Sequence, residues 1–314
     1  MKAVFVERLT ALARQDPRVI LITGDLGYNC FEPYAAACPK QFLNAGVAEQ
    51  NMTTLAAGLA LEGHIVYTYS IANFAFMRCL EQIRNDCAYH DCNVNVVAVG
   101  GGFSYGQLGI SHHATEDLAI MRSLPNTILA APGDDWEAGE LTAAVAEYPG
   151  VSYLRLDRSS AGNTRRPGEQ FVFGKARVLR EGEDITLVST GGILAEVLKA
   201  ADLLAEEDVH CRVLSVPAVK PLDVSSLVDA AEETGGILTI EEHTVDGGFG
   251  SAVAESLLEQ GSVPRFFQRI GLRDGFSSVV GDQQYLRGVY GINCDAIVST
   301  VKFRLGLRLE RRAA

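Results

Sequence analysis

Residues 94–113 read Val-Asn-Val-Val-Ala-Val-Gly-Gly-Gly-Phe-Ser-Tyr-Gly-Gln-Leu-Gly-Ile-Ser-His-His. The first six make an almost wholly apolar run of strand length, the mark of a strand buried on both faces and hence of a parallel sheet. Five glycines follow in the ten residues 100–109 and let the backbone approach a ligand closely. Two adjacent histidines end the segment, and Thr115-Glu116-Asp117 gives the next helix an acidic start. In open α/β sheets ligands gather beyond the carboxyl ends of the strands, so this loop is the first candidate for a site.

The same pattern repeats outward along the chain. Strand candidates are Val19–Thr23, Gln41–Asn44, Ile65–Tyr69, Val94–Val99, Thr127–Ala131 and Val151–Leu156, then Ile185–Ser189, Cys211–Val216, Ile237–Ile240 and Arg265–Ile270. Helix-like stretches alternate with them: Val47–Leu61, Phe74–Ala88, Asp134–Glu147, Leu194–Glu206 and Gly250–Gln260. This alternation predicts an α/β protein of two domains, each a mostly parallel sheet flanked by helices. The pattern breaks between Asp157 and Asp184, where turn formers and charges dominate. A domain boundary is therefore expected near Thr164–Gln170, giving domains of residues 1–165 and 166–314.

Composition narrows the function. The chain has 314 residues, 47% of them hydrophobic, and a net charge of −12. That balance supports packed cores and argues against nucleic-acid or anionic-membrane surfaces. No apolar run reaches the roughly 20 residues of a bilayer span. The first stretch carries Glu7, Arg8, Arg14 and Asp16 in an amphipathic pattern, unlike a signal peptide. The seven cysteines are scattered without a C-x-x-C pair, which fits reduced thiols and a cytoplasmic setting.

Two more strand ends invite attention. Asn44-Ala45-Gly46-Val47-Ala48-Glu49 puts Glu49 in the first turn of a helix, beside the positive end of its dipole. On spacing alone, ordinary dipole compensation outweighs a catalytic carboxylate as the reading of Glu49. Ser70-Ile71-Ala72-Asn73-Phe74-Ala75-Phe76-Met77-Arg78 follows a strand and opens a helix with Phe74 and Met77 three apart, which by itself reads as core. The histidine pair suggests proton transfer or substrate contact rather than zinc, since no third ligand lies at metal spacing. Gly24-Asp25-Leu26-Gly27 is neither a P-loop nor a dinucleotide fingerprint.

Taken together, NAGVAEQNMTTLAAGLALEGHIVY, FSYGQLGISHHATEDLAIMRSLPN, TILAAPGDDWEA, YLRLDRSS and IEEHTVDGGFGSAVAE resemble the C-terminal half of the transketolase family, in order and over nearly the whole chain. The resemblance implies a pyrimidine-binding domain followed by a transketolase C-terminal domain, with thiamine diphosphate as cofactor. It places Glu49 on the glutamate that contacts N1′ of the aminopyrimidine. A carboxyl there favours the 4′-imino tautomer, whose nitrogen removes the thiazolium C2 proton, and the cofactor then serves as an electron sink. Phe74 falls on the aromatic that packs on the pyrimidine, with Ile71, Met77 and Gln107 around the cofactor. His112 falls on the histidine that meets the reacting sugar, with His113 beside it. Arg158 falls on an arginine that grips a sugar phosphate, and Asn29 near a phosphate-binding serine.

The departures from the family shape the rest of the reading. Leu108 stands where many transketolases have an aspartate, and Gly100 where they have a histidine, which suggests an unusual sugar substrate. No Gly-Asp-Gly…Asn motif for Mg2+ and diphosphate is present, and the chain itself is expected to supply no metal ligands. The expectation is a split transketolase that transfers a two-carbon ketol unit. A partner N-terminal subunit would hold the diphosphate and Mg2+, with self-association and two copies of each subunit. Rivals are the β subunit of a 2-oxo acid dehydrogenase E1 component, a non-catalytic paralogue, a stand-alone binding protein and, least, a deoxyxylulose-phosphate-type synthase.

Overall fold

A computed structural model describes residues 1–307, so residues 308–314 of the expected second domain lie outside the described region. Among the described residues, twelve strands form two sheets. They are β1 (Val19–Thr23), β2 (Phe42–Asn44), β3 (Ile65–Ile71), β4 (Val94–Val99), β5 (Thr127–Ala130), β6 (Val151–Leu156), β7 (Arg177–Arg180), β8 (Ile185–Ser189), β9 (Cys211–Ser215), β10 (Ala218–Lys220), β11 (Ile237–Thr244) and β12 (Phe267–Leu272). The first sheet has the order β10-β5-β6-β4-β3-β1-β2 and the second β12-β11-β8-β9-β7. All pairings are parallel except those of the edge strands β10 with β5 and β7 with β9.

The central strand β4 shows why its sequence does not alternate. Val94, Val96 and Ala98 pack into one buried cluster, and Val97 and Val99 into another on the opposite face. Each fully buried valine contributes about 1.5–3 kcal/mol, so neither face tolerates regular polar positions. The helix Lys2–Gln15 seats Phe5, Leu9 and Ala13, one turn apart, against the second of these faces. Asp134 caps the helix Asp135–Glu147 by accepting from the Glu137 N–H at 2.6 Å.

Three differences from the sequence reading have physical causes. The stretch expected to be one helix from Phe74 to Ala88 is instead two π-turns, Asn73–Met77 and Ile83–Ala88, around a short α-turn. β7 lies inside the segment 157–184 that reads as strand-poor. Although it belongs to the stretch after the boundary, β10 is hydrogen-bonded to the first sheet. Both are short edge strands, three or four residues long, and carry too few apolar positions to register as buried runs. Among the described residues, no helix is long and apolar enough to cross a membrane.

Candidate active site

Strands β4, β3, β1 and β2 lie side by side and parallel, so their carboxyl ends open along one edge of the first sheet. Four segments meet there: Gly24–Gly27 after β1, Asn44–Glu49 after β2, Ile71–Arg78 after β3, and the glycine-rich loop 100–113 after β4.

Glu49 is the first residue of the helix Glu49–Leu61 and is only 5% exposed. The turn after β1 closes over it: a Cβ at Gly24 would lie 3.4 Å from the Glu49 Cγ. The Arg78 Nη1 donates to the Glu49 carboxylate at 3.1 Å. The same guanidinium lies over the Phe74 ring, 3.9 Å from its centroid. The Phe74 ring in turn meets His112 edge to face, with centroids 5.1 Å apart. Glu49, Phe74 and His112, far apart in sequence, thus form one contiguous group, with Arg78 as the link.

His112 is half-buried at the end of the turn Ile110–His112, with Ser111 Oγ 3.0 Å from its Nδ1. Burial first, then the neighbouring His113 and the Arg78 charge, push its imidazole below the usual 6.5. Asn73 holds this turn in place, its side-chain amide donating to the carbonyls of His113 at 2.9 Å and Ser111 at 3.1 Å. His113 itself is buried at 1% exposure. Its Nε2 lies 3.1 Å from the Gly106 carbonyl and its ring is edge-on to Phe103, so it braces the loop from beneath.

The remaining expected residues are distributed around this group. Ile71 closes β3 opposite Val99 in register, and Met77 is exposed at the end of the first π-turn. Gln107 and Arg158 are exposed and line one cavity of about 530 Å³ with Ser104, Tyr105, Asp282 and Gln283. The Arg158 guanidinium lies 5.5 Å from the Tyr105 centroid. Asn29 is not brought to the group: it is exposed, its N–H donates to Glu32 at 2.8 Å, and it borders a groove along the helix Lys2–Gln15.

Sequence reasoning missed Asn73, Arg78, Tyr105 and Glu242. Tyr105 fills the space above Gly100, where φ is +86° and a Cβ would fall 2.1 Å from the tyrosine ring. The Glu242 carboxylate accepts from the Phe103 N–H at 2.6 Å and from Arg287 Nε at 2.5 Å. His243, beside it, accepts the Leu118 N–H at Nε2 and reaches the Thr244 carbonyl with Nδ1, a structural bridge between the sheets.

These residues fit the aminopyrimidine of thiamine diphosphate. An acid stands at a helix start, an aromatic face already carries a flat nitrogen-rich group, and Ser70 Oγ, Asn73 Oδ1 and His113 Nδ1 nearby are buried without partners. Among the described residues, no group of three or more His, Cys, Asp or Glu side chains is placed to hold a metal ion.

Comparison with known proteins places the chain as a whole. The family profile "Transketolase, pyrimidine binding domain" matches residues 1–163, and "Transketolase, C-terminal domain" matches residues 174–297. An apulose-4-phosphate transketolase subunit of Phocaeicola vulgatus is 35% identical over 298 residues, 94% of each chain. The 6-deoxy-6-sulfo-D-fructose transketolase subunit SqwH of a Clostridium species is 35% identical over 299 residues, 95% of this chain and 92% of its own. A solved structure titled "Split gene transketolase, inactive beta4 tetramer" superposes with a TM-score of 0.85 and 36% identity over 98% of both chains.

Proposed function

This chain belongs to the transketolase family, and on that premise we propose that it is one subunit of a split, thiamine-diphosphate-dependent transketolase. It moves a two-carbon ketol unit from an anionic ketose donor to an aldose acceptor. The observation that carries this reading is the contiguous group of Glu49, Phe74 and His112 on one sheet edge. Relatives of matching length are named as transketolase subunits, which favours this activity over that of a 2-oxo acid dehydrogenase.

When bound, thiamine diphosphate supplies an acidic thiazolium carbon and an electron sink for carbon–carbon cleavage. Glu49 would share a proton with pyrimidine N1′. The Phe74 face, with the apolar Ile71 and Met77, would hold that ring, and Gln107 lies on the neighbouring glycine-rich loop. His112, held neutral near pH 7 by its lowered pKa, offers Nε2 to a substrate oxygen. Arg158, in its polar cavity, suits a phosphate or sulfonate at the far end of the sugar. The names of the relatives, one a phosphate and one a sulfonate, support an anionic substrate. A partner subunit holds the diphosphate and Mg2+, in an assembly with two copies of each. The boundary between the two domains falls between residues 163 and 174.

The test mixes the purified chain with a subunit carrying the Gly-Asp-Gly…Asn motif. Ketol transfer appears only in the mixture; robust transfer by this chain alone overturns the split assignment. In the mixture, Glu49→Gln slows exchange of the cofactor's C2 proton, read by NMR, by about 100-fold or more with the fold retained. An unchanged exchange rate refutes the role of Glu49.

A further inference from the structure

Arg78 has no part in that chemistry, yet its side chain occupies the very ground on which the cofactor reading depends. Its guanidinium covers the Phe74 face at 3.9 Å, and its Nη1 donates to the Glu49 carboxylate at 3.1 Å. The Arg78 side chain is 50% exposed, against 5% for its partner. Its main chain is tied down separately: the Arg78 carbonyl accepts from Gln50 Nε2 at 3.1 Å, on the helix that carries Glu49. A guanidinium is planar, stacks on aromatic faces and presents N–H groups along its edge. An aminopyrimidine protonated at N1′ is planar, stacks on the same kind of face and presents an N–H to the same kind of carboxylate.

We propose that Arg78 is a placeholder for the aminopyrimidine. In the unloaded chain it covers Phe74 and neutralises the buried Glu49 carboxylate. The cofactor enters by displacing the side chain toward solvent while the main chain stays anchored to Gln50. The inference rests on the cofactor reading above and deepens it. Two contacts support it, the stack on Phe74 and the hydrogen bond to Glu49; a buried carboxylate without a counter-charge is costly, and Arg78 removes that cost until the ligand arrives. The arrangement also has a measurable consequence, because a site filled by its own side chain binds ligand with an affinity reduced to the fraction of molecules in which it is open.

The experiment measures thiamine diphosphate binding, with Mg2+ present, to the chain assembled with its partner subunit, by calorimetry and by stopped-flow association. Arg78→Ala binds about 5- to 10-fold tighter than the wild type, as expected for losing one half-exposed ion pair and one cation–π contact that compete with the ligand. Its association is faster. Arg78→Lys, which keeps a charge without the planar fork, lies between the two; wild-type affinity in this variant overturns the mimicry. Unchanged or weaker binding by Arg78→Ala overturns the placeholder while leaving the transketolase reading intact. Absence of binding by wild type and variant alike overturns both. Thermal melts of the unassembled chains confirm that each variant is folded, since the side chain is half in solvent.

Discussion

Glu49 reads in the sequence as one more acidic residue at a helix start, and only burial gives it a different meaning. At 5% exposure, with Arg78 as its counter-charge, it is an expensive group to keep unless something uses it. His112 is legible for a different reason: a histidine after a glycine-rich strand end seldom has a packing role, whereas His113 next to it does, and the doublet itself does not say which is which. Replacing His112 with alanine should lower kcat by about 100-fold while cofactor affinity changes less than about 2-fold. Equal losses of both would make it a structural histidine. Its pKa is lowered, so it becomes protonated only at lower pH than an ordinary histidine; the acid limb of kcat/KM that it causes should lie below 6.5 and vanish in the variant. Arg78 is not legible, because a lone arginine in an amphipathic stretch reads as a solvated face. Tyr105 is hidden by the same limit: nothing in its neighbours announces that its ring takes the room left free at Gly100.

The loop 100–113 is held from two sides. Asn73 grips its histidine end from the first π-turn, and Glu242 of β11 grips its start through the Phe103 N–H. Gly102 permits this approach, since at φ +58° a Cβ would fall 2.5 Å from the Glu242 carboxylate. Arg287 and Gln283 complete that carboxylate's partners at 2.5 and 2.9 Å. Glu242→Ala takes from the 3%-exposed Arg287 its 2.5 Å carboxylate partner, leaving Glu196 at 3.8 Å as its counter-charge, and should cost about 3 kcal/mol in urea unfolding. A loss under about 1 kcal/mol would mean that water replaces the acid. The strands buried on both faces, β4 and β6 above all, can be read from their unbroken apolar runs. The antiparallel edges cannot, because β10 pairs through main-chain groups that leave almost no trace in side-chain pattern. The π-turns after β3 read as plain helix, since their apolar spacing differs from 3.6 residues by less than a short segment reveals.

Across the whole molecule, buried charges join the two sheets. Arg155 of β6 pairs with Asp117 at 3.2 Å and Asp157 at 3.1 Å and donates to the Glu242 carbonyl of β11 at 3.0 Å. Arg177 of β7 reaches back to Asp134 and Glu137 beside the first sheet, at 3.0 and 2.7 Å. Neither partner set is complete within one sheet. The chain should therefore unfold in a single calorimetric transition, with van't Hoff and calorimetric enthalpies equal; two resolved transitions would show that the bridges are dispensable. Strand β10 carries the same interdependence into the backbone ladder. Its consequence is practical: a chimera that joins the front half of one relative to the back half of another at residue 166 would ask a foreign edge strand to zip onto β5. Recombination among these proteins should succeed when the donor of residues 127–130 also donates residues 218–220, whatever happens to the sequence between them.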